Sequence, residues 1–152
     1  MTKETFILRL KKIKELEETL NRKHDVMVEG NPFVEDGSGV MPDWLMNLIF
    51  EHVLTLFAAV NEDAFYKTKL DDCKESYPGM SVEEIAKEIG ISVEKLKSSC
   101  ENTYVLADLV DYFLYEMDWG GRISIGKDDS DTSRDYDFSD YGRLYDYIKE
   151  EI

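Results

Sequence analysis

Phe6, Leu10, Ile13, Leu16 and Leu20 recur at steps of three and four, placing them on one stripe of a helix from about Lys3 to Lys23. Lys11, Lys12 and Lys14 precede Glu15, Glu17 and Glu18, so the acids lie toward the C-terminal half, against the preference of the helix dipole. The default expectation is that this amphipathic element packs on its own domain; the alternative is a docking arm.

From Asp25 to Val40 the chain carries Gly30, Pro32, Gly37, Ser38 and Gly39, which predict a loop with at most an extended piece at Val26–Val28. Pro42 suits the first turn of a following helix, and Asp43 adds negative charge there. Trp44, Leu45, Leu48, Ile49, His52, Val53, Leu56, Phe57 and Val60 make one broad face, with Met46, Phe50 and Leu54 on the other. A helix apolar on most sides is expected at the centre of a core, with His52 a satisfied core histidine. Asn61 is placed to cap a helix running through Phe65, Tyr66 and Leu70 to about Cys73, closed by Tyr77–Pro78–Gly79.

Two short helices, Ser81 to Ile89 and Val93 to about Cys100, are predicted on either side of Gly90–Ile91–Ser92. A longer one follows through Val105, Leu106, Leu109, Val110, Phe113, Leu114 and Met117, ending at Trp119–Gly120–Gly121. Arg122 to Ile125 reads as a small strand, 127–138 as an acidic loop, and Ser139 as the cap of a last helix carrying Tyr141, Leu144, Tyr145 and Ile148. The expected architecture is mainly α: one domain over residues 1–152, a bundle of about six helices with at most a small β hairpin or strand.

The segment from Val82 to Lys97 resembles a helix-turn-helix. Ala86 sits where two helices cross closely, and Gly90, four residues on, can adopt the positive φ of a tight turn. Ile85, Ile89, Ile91, Val93 and Leu96 occupy the apolar positions of that motif. The resemblance covers about 20 of the 152 residues and implies a helical hairpin. As a DNA reader the second helix offers Glu94, Lys95, Lys97, Ser98, Ser99 and Glu101, with neither Arg nor Gln.

Charge changes the picture of partners. The chain holds 33 acidic and 18 basic residues, a formal net charge of −15. The imbalance is uneven: residues 1–24 carry seven Lys/Arg and four Asp/Glu, and the remainder carries eleven and twenty-nine. Such a chain repels nucleic acid and anionic lipid and attracts basic surfaces, so direct nucleic-acid binding is disfavoured. No basic n-region precedes an apolar h-region, and the most apolar stretch, Trp44 to Val60, contains Asn47, Glu51 and His52, which argues against a membrane span. Cys73 and Cys100 form no CxxC and read as two free thiols, so a cytoplasmic setting is expected.

The C-terminal region interleaves acids with aromatics across 135–141, then Tyr145–Asp146–Tyr147 and Glu150–Glu151. Asp129, Asp131, Ser133, Asp135, Asp137 and Asp140 match calcium-loop offsets, but Arg134 stands where that loop needs Gly, so a solvated acidic loop is expected and no metal or cofactor. Carboxylates spaced along a rigid face also reproduce the charge pattern of a phosphate backbone, with Tyr rings adding contact area. The candidate partner contacts are Asp128, Asp129, Asp131, Asp135, Asp137, Asp140, Tyr141, Tyr145 and Asp146. A solvated face with its Tyr rings half-packed into the core is the competing reading.

His24 and His52 lie far apart in sequence, neither Cys has a partnering His, and no nucleophile elbow occurs, so no enzymatic activity is expected. In size, charge and lack of an active site, the chain is similar to phage-encoded antagonists of restriction or CRISPR nucleases and to nuclease immunity proteins. That likeness implies a non-enzymatic inhibitor that occupies the nucleic-acid channel of a basic partner. The alternative is a helix-turn-helix regulator or packaging component of a phage or mobile element, using Lys11, Lys12, Lys14, Lys95 and Lys97; a third reading is a self-associating scaffold, a homodimer for example.

Overall fold

In a computed structural model, the structure describes residues 1–28, 43–101, 103–116, 118–125 and 134–152. Eight α-helices and a two-stranded hairpin occur among them: α1 (Lys3–Val28), α2 (Asp43–Ala58), α3 (Glu62–Phe65), α4 (Lys69–Ser76), α5 (Val82–Ile89), α6 (Val93–Glu101), α7 (Val105–Asp111), β1 (Arg122–Ile125), β2 (Arg134–Asp137) and α8 (Tyr141–Glu150). The chain is a mainly helical bundle, and no described helix is long and apolar enough to cross a membrane.

Helix α1 follows the predicted stripe only in part. Phe6 and Leu10 are buried and Ile13 and Leu20 pack against the core, but Leu16 is 50% exposed and Glu17 takes the inward position. The same three-and-four rhythm runs from Ile13 through Glu17 to Leu20, and the packing of α1 on α2 and α8 selects that phase. The helix also continues through Val26–Val28, where an extended piece was expected. The remainder of the expected loop, 29–40, and Pro42, expected in the first turn of the next helix, lie outside the described residues.

Leu45, Ile49, Val53, Leu56 and Phe57 of α2 enter the core, whereas Trp44 stays 58% exposed and Leu48 and His52 face solvent. His52 is therefore not a core histidine; it borders a shallow groove between α1 and α2 together with Arg9 and Lys12. The helix expected from Asn61 to Cys73 divides at Tyr66–Thr68. Thr68 forms a capping box with Asp71 and a β-bridge with Tyr104, so backbone groups that a continuous helix would pair internally are directed to a neighbour.

The main core joins α1, α2, α3, α7 and α8 with Trp119 and Phe138. Phe113 sits among its rings, with centroids 5.8 Å from Phe57, 5.9 Å from Trp119 and 6.1 Å from Tyr141. A second cluster lies within α4, α5 and α6, where Ile85, Ala86, Leu96 and Cys100 are buried and Leu70, Cys73 and Tyr77 pack around them. Ser81 and Glu84 close the N-terminus of α5 as a capping box, and Gly90 ends it at φ 82°. The Ile91 N–H then donates to the Ala86 carbonyl at 3.0 Å, folding α6 back onto α5. Lys69 Nζ to Asp108 Oδ2 (2.6 Å) and Val105 N to Lys67 O (3.0 Å) tie the two clusters together.

Helix α7 runs into a π-helical turn, Tyr112–Glu116, after which Asp118 and Trp119 take positive φ of 46° and 65°. Strand β1 pairs antiparallel with β2, Arg122 opposite Asp137 and Ile125 opposite Arg134, so the expected acidic loop is strand over its last residues. The cap of α8 is Asp140, whose carboxylate accepts from Gly142 N at 2.8 Å, and not Ser139, whose N–H and hydroxyl both donate to Asp137.

Candidate functional site

The candidate contacts near α8 separate into distinct roles. Asp128, Asp129 and Asp131 lie outside the described residues. Asp135 stands on β2 opposite Ser124. Asp137 accepts from Ser139 and Asp140 caps α8, so both carboxylates already shape the turn into the helix. Tyr141 is half-buried, with its ring edge-on to Phe113; burial pushes its phenol above the ordinary range, and Glu18 adds to the shift.

Tyr145 is a core residue, which corrects its expected role as exposed contact area. It is buried edge-on to Phe6, and its hydroxyl donates to the Met1 carbonyl at 2.7 Å. Asp146 is met from within the chain, because Lys3 Nζ lies 2.6 Å from its Oδ2. Asp140 and Glu150 also act on Lys3, whose ammonium is raised above its ordinary value chiefly by the hydrogen bond to Asp146. Lys3, in the first turn of α1, thus partly neutralises the acidic face of α8.

A different constellation lies at the other end of α1. Glu17, Asn21 and Lys14 from α1, Met46 and Ile49 from α2, and Leu114, Tyr115, Asp118 and Trp119 beyond α7 line a cleft of about 600 Å³. Glu17 is only 7% exposed, the single buried charged residue among those described. Burial pushes its carboxyl above the usual carboxylate range; Lys14 opposes that rise, and Glu18 and Asp118 reinforce it. One helical turn on, Asn21 Oδ1 is buried without a hydrogen-bond partner.

Lys14 holds its ammonium 4.7 Å from the centre of the Trp119 ring and 3.9 Å from Glu18 Oε1. The Tyr115 hydroxyl donates to the Met46 carbonyl at 2.7 Å, and its ring stacks on Phe50. The cleft therefore presents mostly acceptors, three carboxyl groups, an amide oxygen and an indole face, around the single ammonium of Lys14. A π-helical turn and two adjacent positive-φ residues form its far wall. Departures of this kind from regular backbone concentrate where side chains must be aimed for function.

Sequence periodicity missed this cleft because Leu16 competes with Glu17 for the inward stripe. The readable signals were the acid at the three-and-four spacing from Ile13 and Leu20, and the Trp119–Gly120–Gly121 break after a long apolar helix. Among the described residues no cluster of His, Cys, Asp and Glu is arranged to hold a metal ion. No protein-family model, no curated protein and no solved structure matches this chain.

Proposed function

We propose that this chain is an acidic, non-enzymatic binding protein that inhibits a basic nucleic-acid-handling partner by occupying its nucleic-acid channel. The observation that carries this reading is how the molecule distributes its charge. Lys3, Lys67 and Lys69 are paired internally with Asp146, Glu75 and Asp108, and Lys14 rests on Trp119. Asp72, Glu83, Glu88, Glu94 and Glu101 are exposed on the short, mutually packed helices α4, α5 and α6, and Asp111 is exposed at the end of α7. Carboxylates fixed on such a scaffold lose little entropy on meeting a cationic surface, and association would be fast and salt-sensitive.

The test is affinity capture from cells followed by competition. The retained protein should be a basic nucleic-acid-handling one, released both by its own nucleic acid and by raised salt. Reversing Glu83, Glu88, Glu94 and Glu101 to Lys together should weaken capture strongly if the α5–α6 surface takes part. Retention indifferent to nucleic acid and salt would refute the reading.

The α5–α6 hairpin favours a second reading, a helix-turn-helix regulator with Lys95 and Lys97 exposed on its second helix. A low-salt gel shift separates the two: tight duplex binding with a steep salt slope supports the regulator and removes the channel-blocking proposal.

A further inference from the structure

We infer that the cleft that α1 and α2 form with Leu114, Tyr115, Asp118 and Trp119 is a binding site for an organic cation, an alkyl-ammonium or alkyl-guanidinium group. For a cation carried by a protein partner, this inference rests on the function proposed above; for a free amine it stands alone.

Hydrogen-bonding inventory sets the ligand class. Ionised Glu17, Glu18 and Asp118 only accept, Asn21 contributes a buried acceptor with no partner beside its amide donors, the donor of Tyr115 is already used on Met46, and the Lys14 ammonium is engaged by Trp119 and Glu18. Such a set meets the three donors of an ammonium or the five of a guanidinium, and it repels anions. The Trp119 face already holds one cation, Lys14, at 4.7 Å, which shows that the ring is presented for cation–π contact. Glu17 itself is 93% withdrawn from solvent, and the Lys14 ammonium acts on its carboxyl electrostatically. A guest ammonium in the cleft would give Asn21 Oδ1 the partner it lacks and would add a second cation beside Glu17. Met46, Ile49 and Leu114 form apolar wall for the methylene stem that such a cation carries. The cleft's roughly 600 Å³ accommodates a stem of that size.

The inference is tested on the full chain by following the Trp119 indole N–H in NMR, distinguished from Trp44 with a Trp44→Phe variant. Three kinds of probe are titrated: butylammonium and butylguanidinium, neutral N-butylacetamide, and a neutral-flanked peptide with a single arginine. The cations should shift the Trp119 signal and the amide should not, and Glu17→Gln should weaken cation binding by roughly 30-fold or more. Glu62→Gln, an exposed change on α3, should leave it intact. Tighter binding of the peptide than of the free cations assigns the site to a protein side chain; the reverse assigns it to a small amine. An unmoved Trp119 at about 10 mM cation, an equal response to the amide, or undiminished binding by a folded Glu17→Gln protein overturns the inference. Cation binding without any basic nucleic-acid-handling partner would remove the function proposed above and leave the site standing. A partner that binds Glu17→Gln as well as the native chain, while free cations leave Trp119 unmoved, would remove the site alone.

Discussion

Asn61 and Ile148, 87 residues apart, are joined by a 2.8 Å hydrogen bond from the Asn61 side-chain amide to the Ile148 carbonyl. The other end of the same amide accepts from Ala64 N at 3.1 Å and caps α3. One residue thus starts a helix and fastens it to the C-terminal one. Asn61→Ala should cost about 1–2 kcal/mol, combining a lost cap with a lost bond. Asn61→Asp keeps the cap but turns an oxygen toward the carbonyl, and should not restore stability fully. Urea unfolding midpoints of the two variants check this; equal stability to the native chain would show that the bridge contributes nothing.

Gly120 should be irreplaceable. At φ 135° a Cβ would stand 3.1 Å from the Phe138 carbonyl oxygen and 3.1 Å from Ser139 Cα, both backbone atoms that cannot swing aside. Gly120→Ala should therefore lose about 3 kcal/mol through strain and displacement of the segment leading into α8. Gly90→Ala, at φ 82° with nothing within 4 Å of the new Cβ, should cost only the backbone penalty, about 1–2 kcal/mol. Thermal unfolding of both reads the difference, and equal losses would discard the crowding argument.

The thiol of Cys73 on α4 is raised above its ordinary value, first by burial and then by the neighbouring Cys100 thiol on α6. Both are free. At pH 8 Cys73 should hold less thiolate than a free small thiol and react more slowly with an aromatic disulfide reagent. Cys100→Ser, which removes the neighbouring thiol, should speed that reaction. A native Cys73 as fast as a free thiol would contradict the packing of α4 on α6.

Glu17 makes stability depend on pH in a defined direction. Its folded carboxyl lies above the ordinary 4.5, so the native state holds the proton more tightly than the unfolded chain. That contribution is complete below 4.5 and is lost as pH rises through the folded value. Glu17→Gln should therefore raise Tm at pH 7, and the gap should close as pH falls toward 4.5. A lower Tm for the variant at pH 7 would mean that the ionised carboxylate is stabilised in the native state.

Helices α5 and α6 were legible because their signals are local: Ser81 and Glu84 form a capping box, Gly90 supplies the left-handed turn, and the apolar steps are unambiguous. The β1 strand and the helix through Val105–Leu114 were legible for the same reason. Sequence by itself also determined the net charge, −15. Tertiary structure decided the rest. Whether Leu16 or Glu17 faces inward depends on α2 and the Tyr112–Trp119 segment beside α1, since both residues satisfy the helical period. The break between α3 and α4 depends on Tyr104, 36 residues beyond Thr68. Asp146 became part of a pair, and Tyr145 part of the core, only once Lys3, Phe6 and Met1 were brought against α8. Local periodicity fixes which elements can form, but burial and pairing belong to neighbours distant along the chain, and these set the candidate site.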